Sequence, residues 1–166
     1  DGGKVIYVGT FSRSIAPSIR VAYLVLPRRL LPVYEQRLGF AASTVSRFEQ
    51  QTLAAFLQRG LYGRHLRRAA NLYRKKQQIL LEELAKIPGA QIWGAQAGLH
   101  FLLTVPGKSE EWMVVQAAKA GVPVRGLSSY CRECDCPEST LVLGFAGLQL
   151  EDIPAAAQLL KDAFTE

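Results

Sequence analysis

Apolar residues along this chain fall first into short runs and later into helical stripes. Val5-Ile6-Tyr7-Val8 and Val21-Ala22-Tyr23-Leu24-Val25-Leu26 are rich in β-branched and aromatic residues and are bounded by Gly or Pro. That pattern predicts two short buried strands. Pro27 breaks the second. Leu30, Leu31, Tyr34 and Leu38 then recur at helical spacing and predict a short helix over 28–37, ended by Gly39. Phe48, Thr52, Ala55 and Phe56 predict an amphipathic helix over 45–58 that starts from Ser43-Thr44 and closes at Gly60. A third stripe, Leu66, Ala70, Tyr73, Gln77, Leu80 and Leu84, predicts a long helix over 63–86, stopped by Pro88-Gly89.

From Ala90 the pattern changes to mixed strands and helices. Gln91-Ile92-Trp93 reads as a short strand and 98–105 as a longer buried one. Ser109 followed by Glu110-Glu111 gives an N-cap and an acidic first turn, which suit the helix dipole. That helix runs to Ala120 and stops at Gly121. Val122 to Arg125 is a third strand, short or at an edge because of Pro123. Leu141 to Phe145 is a fourth, and Glu151-Asp152 opens a last helix through Phe164.

Composition adds bounds. With 166 residues, 49% of them hydrophobic, the chain is one domain, or one domain plus a piece of another, and it can bury a real core. No apolar run approaches the roughly 20 residues needed to span a membrane. Asp1-Gly2-Gly3-Lys4 leads straight into a strand, so no signal peptide is expected. The net charge of +6 is compatible with a nucleic-acid neighbour without identifying one. The basic run Arg59, Arg64, Arg67, Arg68, Arg74, Lys75, Lys76 reads as the solvated face of the long helix. Cys131, Cys134 and Cys136 have metal-like spacing but lack a second Cys/His pair for zinc. The expectation is no metal, a surface loop with reactive thiols, and a reducing cytoplasm.

The candidate chemistry lies between the first two strands, in Gly9-Thr10-Phe11-Ser12-Arg13-Ser14-Ile15-Ala16-Pro17-Ser18-Ile19-Arg20. The segment is small and hydroxylated and carries two guanidinium groups. An Arg fork matches phosphate oxygens, and hydroxyls add donors.

This stretch resembles the cofactor loop of pyridoxal-phosphate (PLP) enzymes of the aspartate-aminotransferase fold type, Ser-x-Ser-Lys-x-x-x-x-Gly-x-Arg. It is most similar to the version in the aminotransferase-like domain of GntR-type transcriptional regulators of the MocR subfamily: Gly-Thr-Phe-Ser-Lys, then Ala-Pro, then Arg, then Tyr-Leu-Val-Leu-Pro. The resemblance continues through Gln50 to Gly60, through Arg64-His65-Leu66-Arg67-Arg68 and Tyr73-Arg74-Lys75-Lys76, and through Gly98-Leu99-His100. It implies the C-terminal portion of the aminotransferase fold, an α/β protein with an α+β small domain. The parts would be a remnant of the large PLP-binding domain over 1–26, a helical connector with a long inter-domain helix over 27–88, and over 89–166 a small domain with an antiparallel or mixed sheet packed by helices. Beginning inside the middle of that fold, the chain is expected to be a fragment.

The resemblance implies that Thr10, Ser12 and Arg20 hold the cofactor phosphate. Two positions depart. Ser18 stands where Gly is usual. Arg13 stands where the Schiff-base lysine belongs. A deprotonated lysine amine condenses with the PLP aldehyde, whereas Arg stays charged and is a poor nucleophile. Val142 stands where aminotransferases often carry the Arg that pairs with the substrate carboxylate, in the family's Arg-x-Asn-Phe strand; the Leu143-Gly144-Phe145 form here is the regulators' own. His100 is expected to be structural. The implied function is a fragment of a GntR/MocR-type regulator whose aminotransferase-like domain binds PLP or an effector without complete transamination. Its expected partners are a second copy in a homodimer, DNA through an N-terminal winged-helix domain, and a small-molecule effector or amino acid. The alternative is a fragment of a PLP-dependent aminotransferase of 2-aminoadipate type with its Schiff-base Lys replaced by Arg13.

Overall fold

The structure is a computed structural model, described here for residues 3–131 and 139–165. It divides into two compact units, Asp1–Ala69 and Ala70–Glu166, with the boundary inside one long helix.

The first unit is a hairpin followed by helices. Strands β1 (Tyr7–Thr10) and β2 (Ala22–Val25) pair antiparallel, Tyr7 opposite Val25 and Thr10 opposite Ala22. Gly9 lies opposite Tyr23, and the Tyr23 ring covers it so closely that a Cβ there would collide with the ring. A 3-10 turn over Arg28–Leu30 leads into α1 (Leu31–Leu38), with Pro32 in the first turn, where no donor is lost. This replaces the expected single helix over 28–37. Helix α2 (Arg47–Gln58) starts at Ser46 rather than at Ser43-Thr44, because the Ser46 Oγ accepts from the Glu49 amide at 3.4 Å. Gly60, with φ of 68°, turns the chain out of α2 and into α3 (Leu61–Leu84).

The hairpin corrects one expectation. Its strands are not buried: Val8 is 68% exposed and Leu24 is 48% exposed, and Val21 is the unit's one buried hydrophobic among the described residues. The β-branched and aromatic pattern reports strand propensity correctly. It cannot report whether a second layer is present to cover it.

The second unit has a real core. Strands β3 (Gln91–Trp93), β4 (His100–Thr104), β5 (Arg125–Gly126) and β6 (Thr140–Gly144) form an antiparallel sheet in the order β3-β4-β6-β5. The third strand thus lies at an edge, later and shorter than the expected 122–125. Helices α4 (Glu110–Lys119) and α5 (Ile153–Thr165) follow β4 and β6. Ser109 caps α4 as expected, accepting from the Trp112 amide at 3.2 Å. Register places Phe101 opposite Leu143 and Leu103 opposite Leu141, so alternate residues of both strands share one face. That face is buried with Leu80 and Leu84 of α3, Met113 and Ala117 of α4, and Ile153, Ala157, Leu160 and Phe164 of α5. The α5 residues recur at three and four, the spacing that makes one stripe. Each buried Leu, Ile or Phe contributes roughly 1.5–3 kcal/mol.

Lys76 departs from the expected solvated face. It is 6% exposed, donates from Nζ to the Ala146 carbonyl at 3.1 Å, and lies 5.8 Å from the Tyr73 ring centre. Residues 76, 80 and 84 are spaced four apart, so Lys76 shares the buried stripe. Its stem packs while its ammonium takes a backbone acceptor.

Candidate functional site

The loop between β1 and β2 is closed by its own hydrogen bonds. The Phe11 amide donates to the Val21 carbonyl at 2.9 Å, and the Ser12 Oγ donates to the Ile19 carbonyl at 2.5 Å. Thr10 Oγ1 donates to the Val21 carbonyl at 3.4 Å and accepts from the Ser12 amide at 3.2 Å. Thr10, Ser12 and Arg20 are therefore gathered at the mouth of the hairpin. Arg13 lies in the turn that follows, where the Ser14 and Ile15 amides both donate to the Phe11 carbonyl.

The first turns of α3 hold the far side of this loop. Tyr62 donates its hydroxyl to Ser14 Oγ at 3.1 Å, and His65 Nε2 lies 2.9 Å from the Ser14 carbonyl. A carbonyl only accepts, so Nε2 carries the proton. The Phe11 ring meets Tyr23 at a tilt and Tyr62 edge-to-face, with ring centres 5.3 and 5.7 Å away. The Tyr23 phenol is raised above its ordinary range, chiefly by hydrogen bonding with Tyr7 and then by burial and nearby phenols. It stays neutral at physiological pH.

Arg13 and Arg20 are both exposed, and neither guanidinium is hydrogen-bonded or ion-paired to another described residue. No acid occurs between Gly9 and Arg20. The loop thus offers two free donor forks and two hydroxyls that can exchange a carbonyl acceptor for an anion. This fits the phosphate end of PLP. It does not fit the aldehyde end, since Arg13 supplies no amine nucleophile. Sequence reasoning missed Tyr62 and His65 as the residues that brace the loop. Their polar groups at 62 and 65, one turn apart, were the available signal.

Two other positions lie in the second unit. The register sets Val142 between Leu102 and Arg125, so the strand that lacks an arginine at 142 has one directly across from it on β5. His100 pairs with Gly144 and is exposed. Cys131 is disulfide-bonded rather than a free thiol; Cys134 and Cys136 lie outside the described residues. Among the described residues, no helix is long and apolar enough to cross a membrane.

No protein-family profile matches the chain. It is 39% identical over 166 residues to the HTH-type transcriptional regulator YdeL of Bacillus subtilis, covering 97% of this chain and 35% of that protein. It is 37% identical to the HTH-type transcriptional regulator YhdI of the same organism, covering 98% of this chain and 35% of that protein. It is 27% identical to the probable rhizopine catabolism regulatory protein MocR of Rhizobium meliloti, over 98% of this chain and 33% of that protein. The chain thus spans about a third of the length of these curated relatives. Among solved structures, the α-aminoadipate aminotransferase LysN of Thermus thermophilus superposes with a TM-score of 0.77 at 25% identity, over 96% of this chain and 41% of that one. The kynurenine aminotransferase of Pyrococcus horikoshii gives a TM-score of 0.80 at 22% identity, over 99% of this chain and 41% of that one; at that identity the likeness is one of fold.

Proposed function

Because the chain belongs to the aminotransferase-like domains of the MocR/GntR regulators, we propose that it is the C-terminal part of a transcriptional regulator, retaining a phosphate site for PLP without its covalent anchor. The observation that supports this is the hairpin loop, which carries two hydroxyls at its mouth and two guanidiniums with no hydrogen-bond or ion-pair partner among the described residues, and has no acid in its own sequence. When bound, PLP supplies an aldehyde for an amine to react with. The Arg20 fork would hold the phosphate, and Thr10 and Ser12 would turn their hydroxyl protons from the Val21 and Ile19 carbonyls toward it. Arg13 adds positive charge beside the phosphate and cannot replace the lysine amine. Tyr62 and His65 keep the loop from spreading.

In this reading the full-length protein is a cytoplasmic homodimer. It contacts DNA through a winged-helix region outside this chain, and cofactor or effector occupancy biases that contact. The structural likeness to α-aminoadipate aminotransferase favours the second reading, a fragment of such an enzyme with lysine replaced at position 13. Arg13 and Val142 weigh against it.

The test is an absorbance titration of the full-length protein with PLP and with pyridoxal, which lacks the phosphate. The reading expects saturable binding of PLP and much weaker binding of pyridoxal. Equal binding of the two would remove the phosphate site, and with it the proposal.

A further inference from the structure

We propose that the second unit carries a separate binding site for a small carboxylic acid with an apolar body, held through Arg125. The site rests on a cavity of about 850 Å³ formed wholly within Ala70–Glu166. The cavity lies beside the short edge strand β5. Among the residues that line it, His100, Arg125 and Tyr130 are polar, and the rest are Leu, Val, Ala, Pro or Gly. A largely apolar cavity with a few polar groups is the usual form of a small-molecule site.

Arg125 gives the cavity its chemistry. The register puts it beside Val142, which is itself beside Leu102, so one sheet face presents a guanidinium next to two apolar side chains. Arg125 makes no hydrogen bond or ion pair with another described residue. Among the described residues, Glu110 is an acid that approaches β5, and it is already committed. Glu110 accepts from the Ser128 amide at 3.1 Å and from the Ser128 hydroxyl, and it packs where Gly126 has no Cβ. Gly126 is the next residue along the strand, so it faces away from Arg125. Among the described residues the guanidinium therefore has a free donor fork at the edge of an apolar space.

Gly144 keeps that space open. It pairs with His100, and a Cβ built on it would meet only the Leu99 carbonyl, at 3.9 Å. A ligand can lay its apolar body along Leu102, Val142 and Leu148, with its carboxylate on Arg125 and a further hydrogen bond to His100 or Tyr130. A bare phosphate suits this cavity poorly, because the walls offer it few donors. This site shares no residue with the hairpin loop and stands whether or not the loop binds PLP.

The experiment uses the whole chain with labelled Leu and Val methyl groups, titrated with 3-phenylpropionate, with 3-phenylpropionamide and with inorganic phosphate. The acid is expected to shift the Leu102, Val142 and Leu148 methyl signals saturably, while the amide and phosphate leave them in place. Arg125→Gln, an exposed position, should weaken the acid by roughly 10- to 150-fold, the loss expected for charge-assisted hydrogen bonds. Gly144→Val should narrow the cavity beside Val142 and weaken binding, with the rest of the methyl spectrum retained. The proposal is overturned if the acid gives no saturable shifts at those methyls, or if the amide binds equally well. Matching shifts with phosphate would show an adventitious ion only. Unchanged affinity in either variant would likewise overturn it.

Discussion

Replacing Leu103 by Ala should disrupt the protein far more than the same change at Leu24, although both are strand leucines in apolar runs. Leu103 sits mid-strand in β4, opposite Ile92 on one side and Leu141 on the other, and is 0% exposed. Its neighbours are anchored by a sheet and three helices, so they cannot close the space left behind. Removing a fully buried leucine side chain from such a site costs about 2.7–5.0 kcal/mol. Small domains are stable by only about 5–15 kcal/mol, so the loss is a large fraction of the total. For a unit of this size it corresponds to a fall in Tm of at least about 10 °C. Leu24 is 48% exposed. Truncating it removes about half the transfer energy of three methylene-sized groups, about 1.2 kcal/mol. Guanidinium unfolding followed by circular dichroism reads both, provided the denaturant slope is unchanged. Equal destabilisation by the two variants would refute the reasoning, because it would mean that the hairpin in this chain is covered as well as the β4–β6 core is.

Other expectations follow from single contacts. Lys76→Met keeps the packed stem but leaves the Ala146 carbonyl without its donor; it should destabilise the second unit by about 1–3 kcal/mol, and no change in the unfolding midpoint would show that the contact is dispensable. Ser46→Ala should cost about 0.5–2 kcal/mol at the start of α2, seen as faster amide exchange at Glu49 and its neighbours with α5 unaffected. Arg20→Gln in the full-length protein should weaken PLP by roughly 10- to 150-fold, while Arg28→Gln, outside the loop, should leave it unchanged. The isolated chain should bind PLP weakly at best, and tight stoichiometric binding in a titration would refute that.

Much of the fold was legible in the sequence because its signals are local. Ser109 with two acids after it marks the α4 start, Gly60 and Gly121 mark turns at positive φ, and the apolar runs within 98–105 and 141–145 mark two strands, though not which face of each is buried. The start of α2 was misplaced because Ser43, Thr44 and Ser46 are all competent caps, and only the bond to Glu49 separates them. Lys76 was assigned to solvent because charge normally outweighs spacing; here a carbonyl from β6's exit supplies the partner, which no local pattern encodes. The hairpin's exposure was invisible for a similar reason, since burial depends on what covers a strand. The candidate loop was legible as a motif, and so was the absence of an amine at position 13. What it could not convey was the bracing by Tyr62 and His65, some fifty residues on, or the placement of Arg125 beside Val142, which depends on strand register.

The central claim is that this domain keeps a phosphate-held cofactor site while lacking the covalent anchor. The most direct measurement is borohydride reduction of the full-length protein with PLP, followed by intact mass and peptide mapping, for the natural sequence and for Arg13→Lys. The account predicts no cofactor-sized mass increase in the hairpin peptide of the natural protein and a stoichiometric increase at position 13 in the variant. A trapped cofactor elsewhere in the natural protein, or none in the variant, would contradict it.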